Sequence, residues 1–144
     1  MAEQAVIGFR LDHAGLVVAD LGAARSWFCN VFGLEPELTL RVDALDLSIE
    51  MLIHPDHGYR LELLHRPGSA GDGKPVNAGE AALREGYGHV AFDVTDLDAA
   101  YDRAVAHAAK SVMPPGPSPE AGVWMAWVAD PEGNLIELLH RSLP

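Results

Sequence analysis

Short apolar runs alternate with turn residues along this chain, and two stretches of helical spacing lie between them. Leu11–Val18 is apolar apart from Asp12 and His13 and predicts a strand. Alternation puts His13, Gly15 and Val17 on one face and Ala14, Leu16 and Val18 on the other. Asp20 then predicts an N-cap. Leu21, Ala24, Phe28 and Val31 recur at helical spacing, and Gly33 predicts the stop. Glu37–Val42 and Ser48–Ile53 predict two short strands joined by a turn near Asp43–Asp46, and His54–Gly58 predicts a second turn. Arg60–His65 predicts a fourth strand, with Arg60, Glu62 and Leu64 on one face and Leu61 and Leu63 on the other. The unit is β-α-β-β-β.

The stretch that follows carries Pro67, Gly68, Gly71, Gly73, Pro75 and Gly79 and predicts a linker, with a short helical turn expected over Ala81–Glu85. The order then repeats. Gly88–Val94 predicts a strand with His89, Ala91 and Asp93 on one face. Asp96 predicts a cap for a helix striped by Leu97, Ala100, Ala104 and Ala108. Ser111–Met113 predicts a short strand. Pro114–Gly122, with four prolines and two glycines, predicts a loop. Val123–Ala129 predicts a strand holding Trp124 and Trp127. A turn over Asp130–Asn134 and a last strand, Leu135–His140, close the second unit.

The two units echo each other in letters as well as in pattern. Over seven positions from Arg60 and from Leu135, five are identical, from Glu62/Glu137 to Arg66/Arg141, at an offset of 75. HAGLVVADLGAA from His13 matches HVAFDVTDLDAA from His89 at six of twelve positions, at an offset of 76. Two separate matches at nearly one offset mark a single unit written twice.

Composition narrows the function classes. With 144 residues and 49 % hydrophobic content, the chain can bury a core of ordinary size. A net charge of −11 repels nucleic acid and anionic membrane, so neither is expected as a partner, and a small-molecule substrate or a metal ion is. The single cysteine, Cys29, forms no internal disulfide, and a cytoplasmic location is expected. The first ten residues lack the basic start and apolar core of a secretory signal, and no apolar run approaches the ~20 residues that span a bilayer.

The candidate chemistry lies in His13, Glu62, His89 and Glu137. Each interrupts an apolar strand, and each holds the same place in its unit. Paired units can bring the four together in one cleft. Two imidazoles and two carboxylates suit a borderline divalent ion such as Ni, Zn, Co, Mn or Fe. A lone histidine or glutamate in a strand is ordinarily a packing or surface residue. Recurrence at matched positions argues otherwise, because a buried carboxylate needs a partner and a metal is one partner for all four. His65 and His140 lie three residues past the glutamates, so they point to the opposite face and are not expected as ligands. Cys29 is expected in the core, and His54 and His57 in solvent. Only one of Trp124 and Trp127 can face the cleft.

The two-unit plan resembles the vicinal oxygen chelate superfamily, which includes glyoxalase I and methylmalonyl-CoA epimerase. The text that carries the resemblance is LDHAGLVVADLGAARSWFCNVFGLE, RLELLH, GHVAFDVTDLDAA and ADPEGNLIELLH. The resemblance implies an α+β fold, in which two tandem β-α-β-β-β modules pair into a curved, partly closed mixed sheet around a metal cleft. The expected modules are residues 1–66 and 85–144 around a linker at 67–84, one domain over 9–142. The positions matched by His13, Glu62, His89 and Glu137 bind metal in that family. The full His-Glu-His-Glu set is similar to bacterial glyoxalase I, whereas the epimerases commonly carry glutamine at the position of Glu62. Two features depart from glyoxalase I. Val17 stands where that enzyme usually has an arginine for glutathione, and the spacing from Glu62 to His89 is similar to the epimerases.

The expected function is a metal-dependent isomerase, epimerase or lyase that holds a substrate through neighbouring oxygens. Glu137 or Glu62 is the base that takes a C–H proton to give an enolate. The alternatives are a metal-free, drug-sequestering protein of the bleomycin-resistance kind and an iron-dependent ring-cleaving dioxygenase. A homodimer is expected. The linker over residues 66–82 could reach ~20–25 Å as a flexible coil, which predicts that all four ligands of one chain share one ion.

Overall fold

The computed structural model describes residues 7–141, so the reading of the N-terminal segment falls partly outside the described residues. Its elements run β1 (His13–Val17), α1 (Leu21–Phe32), β2 (Glu35–Val42), β3 (Leu47–Ile53), β4 (Arg60–His65), α2 (Ala78–Ala81), β5 (Val90–Asp93), α3 (Leu97–Ala106), β6 (Lys110–Pro117), β7 (Val123–Ala129) and β8 (Leu135–Arg141). They build two four-stranded mixed sheets of identical plan, ordered β1-β4-β3-β2 and β5-β8-β7-β6. In each sheet the first and last strands pair in parallel and the others antiparallel. The fold is α+β, and the sheets do not close into a barrel. Among the described residues no backbone ladder joins them, so β1 and β5 each have one edge without a strand partner there.

The helices form where the caps and stripes predict. The Asp20 carboxylate accepts from the Ala23 amide, and Gly33, at φ 68°, returns its N–H to the Cys29 carbonyl. This helix buries Ala24, Trp27, Phe28 and Val31 in one core with Leu52, Leu61 and Leu63 of the first sheet. Asp96 caps α3 in the same way, through the Ala99 amide. That helix buries Leu97 and Ala104 with Ala126, Val128, Ile136 and Leu138 of the second sheet. The core is continuous across both units. Phe32 stacks on Phe92 with ring centroids 4.3 Å apart, and the Trp27 indole N–H donates to the His107 carbonyl at 2.6 Å.

Three expectations are corrected. Pro114, Pro115 and Pro117 lie within β6 rather than in a loop. That strand is the outer edge of its sheet, and its register slips between Ser111 and Met113 and again between Met113 and Gly116. An edge with bulges tolerates residues that cannot donate to a ladder. The helical turn of the linker falls at Ala78–Ala81, because the Asn77 side chain caps it by accepting from the Glu80 amide. Ala108 falls outside the helix, at φ 68°.

Candidate metal centre

Pairing within each sheet decides where the four candidate residues go. Glu62 sits opposite Gly15 of β1 and Met51 of β3, on the face that His13 shares. Because Gly15 has no side chain, His13 and Glu62 meet over it, with Nε2 and Oε2 3.7 Å apart. His89 and Glu137 also meet, with Nε2 and Oε2 3.2 Å apart, although the residue opposite Glu137 on β5 is Ala91 rather than a glycine. The glutamates are the less exposed partners, with side chains 20 % and 15 % exposed against 36 % and 40 % for the histidines.

The first pair has a further partner. The His13 Nδ1–H donates to Asp12 Oδ2 at 2.8 Å. This hydrogen bond, with the Arg60 guanidinium also nearby, holds the Asp12 carboxyl below the usual carboxylate range. It also orients the ring, so that Nε2 lies on the Glu62 side. That is how a carboxylate commonly orients a metal-binding imidazole. In the second pair the His89 ring meets the edge of Trp127 at a centroid distance of 4.6 Å. Trp127 is buried directly opposite Glu137, while Trp124 is 53 % exposed on the other face. The donor types and the oriented imidazole fit a borderline divalent ion.

The chain brings these residues together two by two. Among the described residues no group of three or more His, Cys, Asp or Glu is placed to hold a metal ion. The expectation that one chain gathers all four is therefore not met by this arrangement. The reason lies in the ladders: His13 on β1 and Glu62 on β4, and His89 just before β5 and Glu137 on β8, are held by neighbouring strands, whereas among the described residues no ladder joins the two sheets. The linker is also not a free coil. Lys74 Nζ donates to the Glu132 carbonyl at 2.7 Å, and Ala81 packs on Trp127 and Leu135. Its length is spent covering the second sheet. His13 and His89 both line a cavity of about 720 Å³ beside the free edges of β1 and β5. A second cavity of about 700 Å³ along the same edges is lined by Asp12, Arg60, Asp93 and Arg141.

The other histidines have structural partners. His65 and His140, the most faithfully repeated, donate Nδ1–H to the Val18 and Val94 carbonyls at 2.8 and 2.7 Å. These hydrogen bonds pin the ends of β1 and β5. His54 is half-buried rather than in solvent and stacks on His57 and Tyr59. Cys29 packs against the core, and partial burial raises its thiol pKa. Sequence reasoning missed Asp12 and Glu132. The Glu132 carboxylate accepts the Ala19 amide at 2.7 Å and the Asp20 amide at 3.2 Å, so the second unit caps the helix start of the first.

Comparison with known proteins bears on the family and the fold. A model of the Glyoxalase/Bleomycin resistance protein/Dioxygenase superfamily matches residues 10–138. A Synechocystis protein named "Probable lactoylglutathione lyase" is 26 % identical, covering 92 % of this chain and 95 % of its own length. A domain of the same superfamily from Frankia superposes with a TM-score of 0.75 at 22 % identity, over 95 % of this chain and 99 % of that one. A glyoxalase family protein from Bacillus cereus superposes with a TM-score of 0.73 at 27 % identity, over 97 % of both chains.

Proposed function

This chain belongs to the Glyoxalase/Bleomycin resistance protein/Dioxygenase superfamily, and on that premise we propose that it is a metal-dependent, glyoxalase-like lyase or isomerase that enolises a small substrate. The observation that carries the reading is the duplicated His–Glu pair, His13 with Glu62 and His89 with Glu137. A divalent ion held by the two pairs would supply positive charge to the substrate oxygens and so acidify the neighbouring C–H.

The chain's own groups do the rest. Asp12 orients the His13 ring. Trp127 and Leu135, covered by Ala81, keep water from the Glu137 side of the site. Glu137 has the less exposed side chain of the two glutamates and serves as the base, returning the proton to the adjacent carbon; Glu62 is the alternative base. Because one chain gathers the residues only in pairs, we further propose a homodimer in which the first pair of one copy faces the second pair of another. The unpaired edges of β1 and β5, with their two cavities, leave room for that approach.

Val17 is 55 % exposed and offers no charge to a glutathione carboxylate. Slow turnover of the methylglyoxal–glutathione hemithioacetal is therefore expected. The test is solvent deuterium exchange, followed by NMR, across hemithioacetals, acyl-CoA thioesters and 2-oxo acids with the Ni²⁺-loaded protein. Glu137→Gln should lower exchange by 10² or more, in line with loss of a general base, while the fold survives. Full exchange and full metal content in that variant would reject Glu137 as base and ligand.

A further inference from the structure

The cavity of about 720 Å³ that both His13 and His89 line is of a size that holds a small ligand. Its wall is mostly apolar, built from strand residues such as Leu16, Leu61 and Ile136 and from Phe28 of α1. Among the described residues no Asp or Glu lines it, although the chain carries 21 of them and a net charge of −11. Glu62 and Glu137 pair with the two histidines and belong to the metal centre. Beyond those histidines, the charged side chain that reaches this wall is Lys74 of the linker.

Lys74 is held there by a built turn. The buried Asp130 accepts from the Glu132 and Asn134 amides and so fixes the turn that carries the Glu132 carbonyl. That carbonyl accepts from Lys74 Nζ at 2.7 Å. The lysine stem lies on the same turn, with Cδ 3.5 Å from where a Cβ at Gly133 would stand. A half-buried head on a stem laid down in this way is positioned before any ligand arrives. Its charge is not spent. Arg25, Arg41, Arg60 and Arg141 are each paired with carboxylates. Lys74 meets a carbonyl instead and makes no ion pair among the described residues, and its ammonium has N–H donors beyond the one in use. The Glu132 carboxylate does not answer it, because that group accepts the Ala19 and Asp20 amides.

We propose that Lys74 binds a carboxylate of the substrate that the metal does not hold, so that the substrate is an oxygen-chelating compound with a second, distal carboxylate. This rests on the reading that His13 and His89 hold the metal, which places the chelated oxygens in the same cavity as the ammonium. One unspent positive charge matches one negative charge, which favours a carboxylate over a phosphate dianion. The apolar wall between them suits a short hydrocarbon spacer.

The experiment is calorimetric titration of the Ni²⁺-loaded protein with two matched pairs, 2-oxoglutarate against 2-oxopentanoate and 2-oxoadipate against 2-oxohexanoate. Within a pair only the far end differs, carboxylate against methyl. The dicarboxylate whose spacer fits should bind about tenfold tighter than its partner, as a charge-assisted hydrogen bond gives. Lys74→Gln keeps a stem and an N–H donor for the Glu132 carbonyl but loses the charge, and it should erase that difference. No preference for either dicarboxylate, or a preference undiminished in Lys74→Gln, would overturn the inference. So would equal weakening of both members of a pair, because Lys74 would then act only by holding the linker. A change of oligomeric mass in Lys74→Gln would overturn it too, because a carboxylate of a second copy would then be the partner. If the monocarboxylates bind equally well without the metal, the chelation reading falls, and the difference within each pair still judges Lys74. If no member binds, both are overturned.

Discussion

Asp130 and Asp12 are both carboxylates at the ends of strands, and they do different things. Asp130 is 4 % exposed and the only buried charged side chain among the described residues. Its Oδ1 accepts from the Glu132 and Asn134 amides at 3.0 and 2.8 Å, and its Oδ2 from the Asn134 side chain at 2.8 Å. Removing it strands these donors in a tight turn. Asp130→Ala should cost about 2–3 kcal/mol, read from urea unfolding. A loss below about 0.5 kcal/mol would show that water replaces the carboxylate. Asp12 instead faces the site and holds an imidazole. The four site candidates were legible in the sequence because each has a twin at the matching place of the other unit. Asp12 was not, because the residue before His89 is Gly88 and the repeat gives no signal. Glu132 was hidden for another reason: the amides it caps lie 113 and 112 residues away.

At the scale of elements, local chemistry was a good guide wherever one residue fixes a boundary. Asp20 and Asp96 begin helices, Gly33 ends one, and period-two alternation assigns the faces of β1 and β4 as built. It misled where tertiary position overrides local preference. The prolines of β6 break a central strand but not an edge strand. The start of α1 is capped twice, by Asp20 from within and by Glu132 from the other unit. Glu132→Ala removes the second cap and the tie between units together. It should cost about 1–2 kcal/mol and speed hydrogen exchange at the Ala19 and Asp20 amides without changing exchange within β3. Uniform acceleration across both sheets would mean that the contact contributes only to global stability.

The whole molecule depends on how two like units meet, and nothing local in the sequence specifies that. Linker length suggested one chain holding one ion. The structure instead shows the linker tied down by Lys74 and by the packing of Ala81, with the site residues in two separate pairs. If an ion is held between the first pair of one copy and the second pair of another, damage to different pairs is separable. Mix His13→Ala and His89→Ala proteins, each inactive alone, and let subunits exchange. Half of the dimers are then mixed, and each mixed dimer has one intact site and one doubly damaged site. Recovery of about a quarter of the wild-type rate is expected, with Ni²⁺ content restored in the same proportion. Activity and metal that stay lost after verified exchange would contradict a site shared between copies and place all four residues in one chain's cleft.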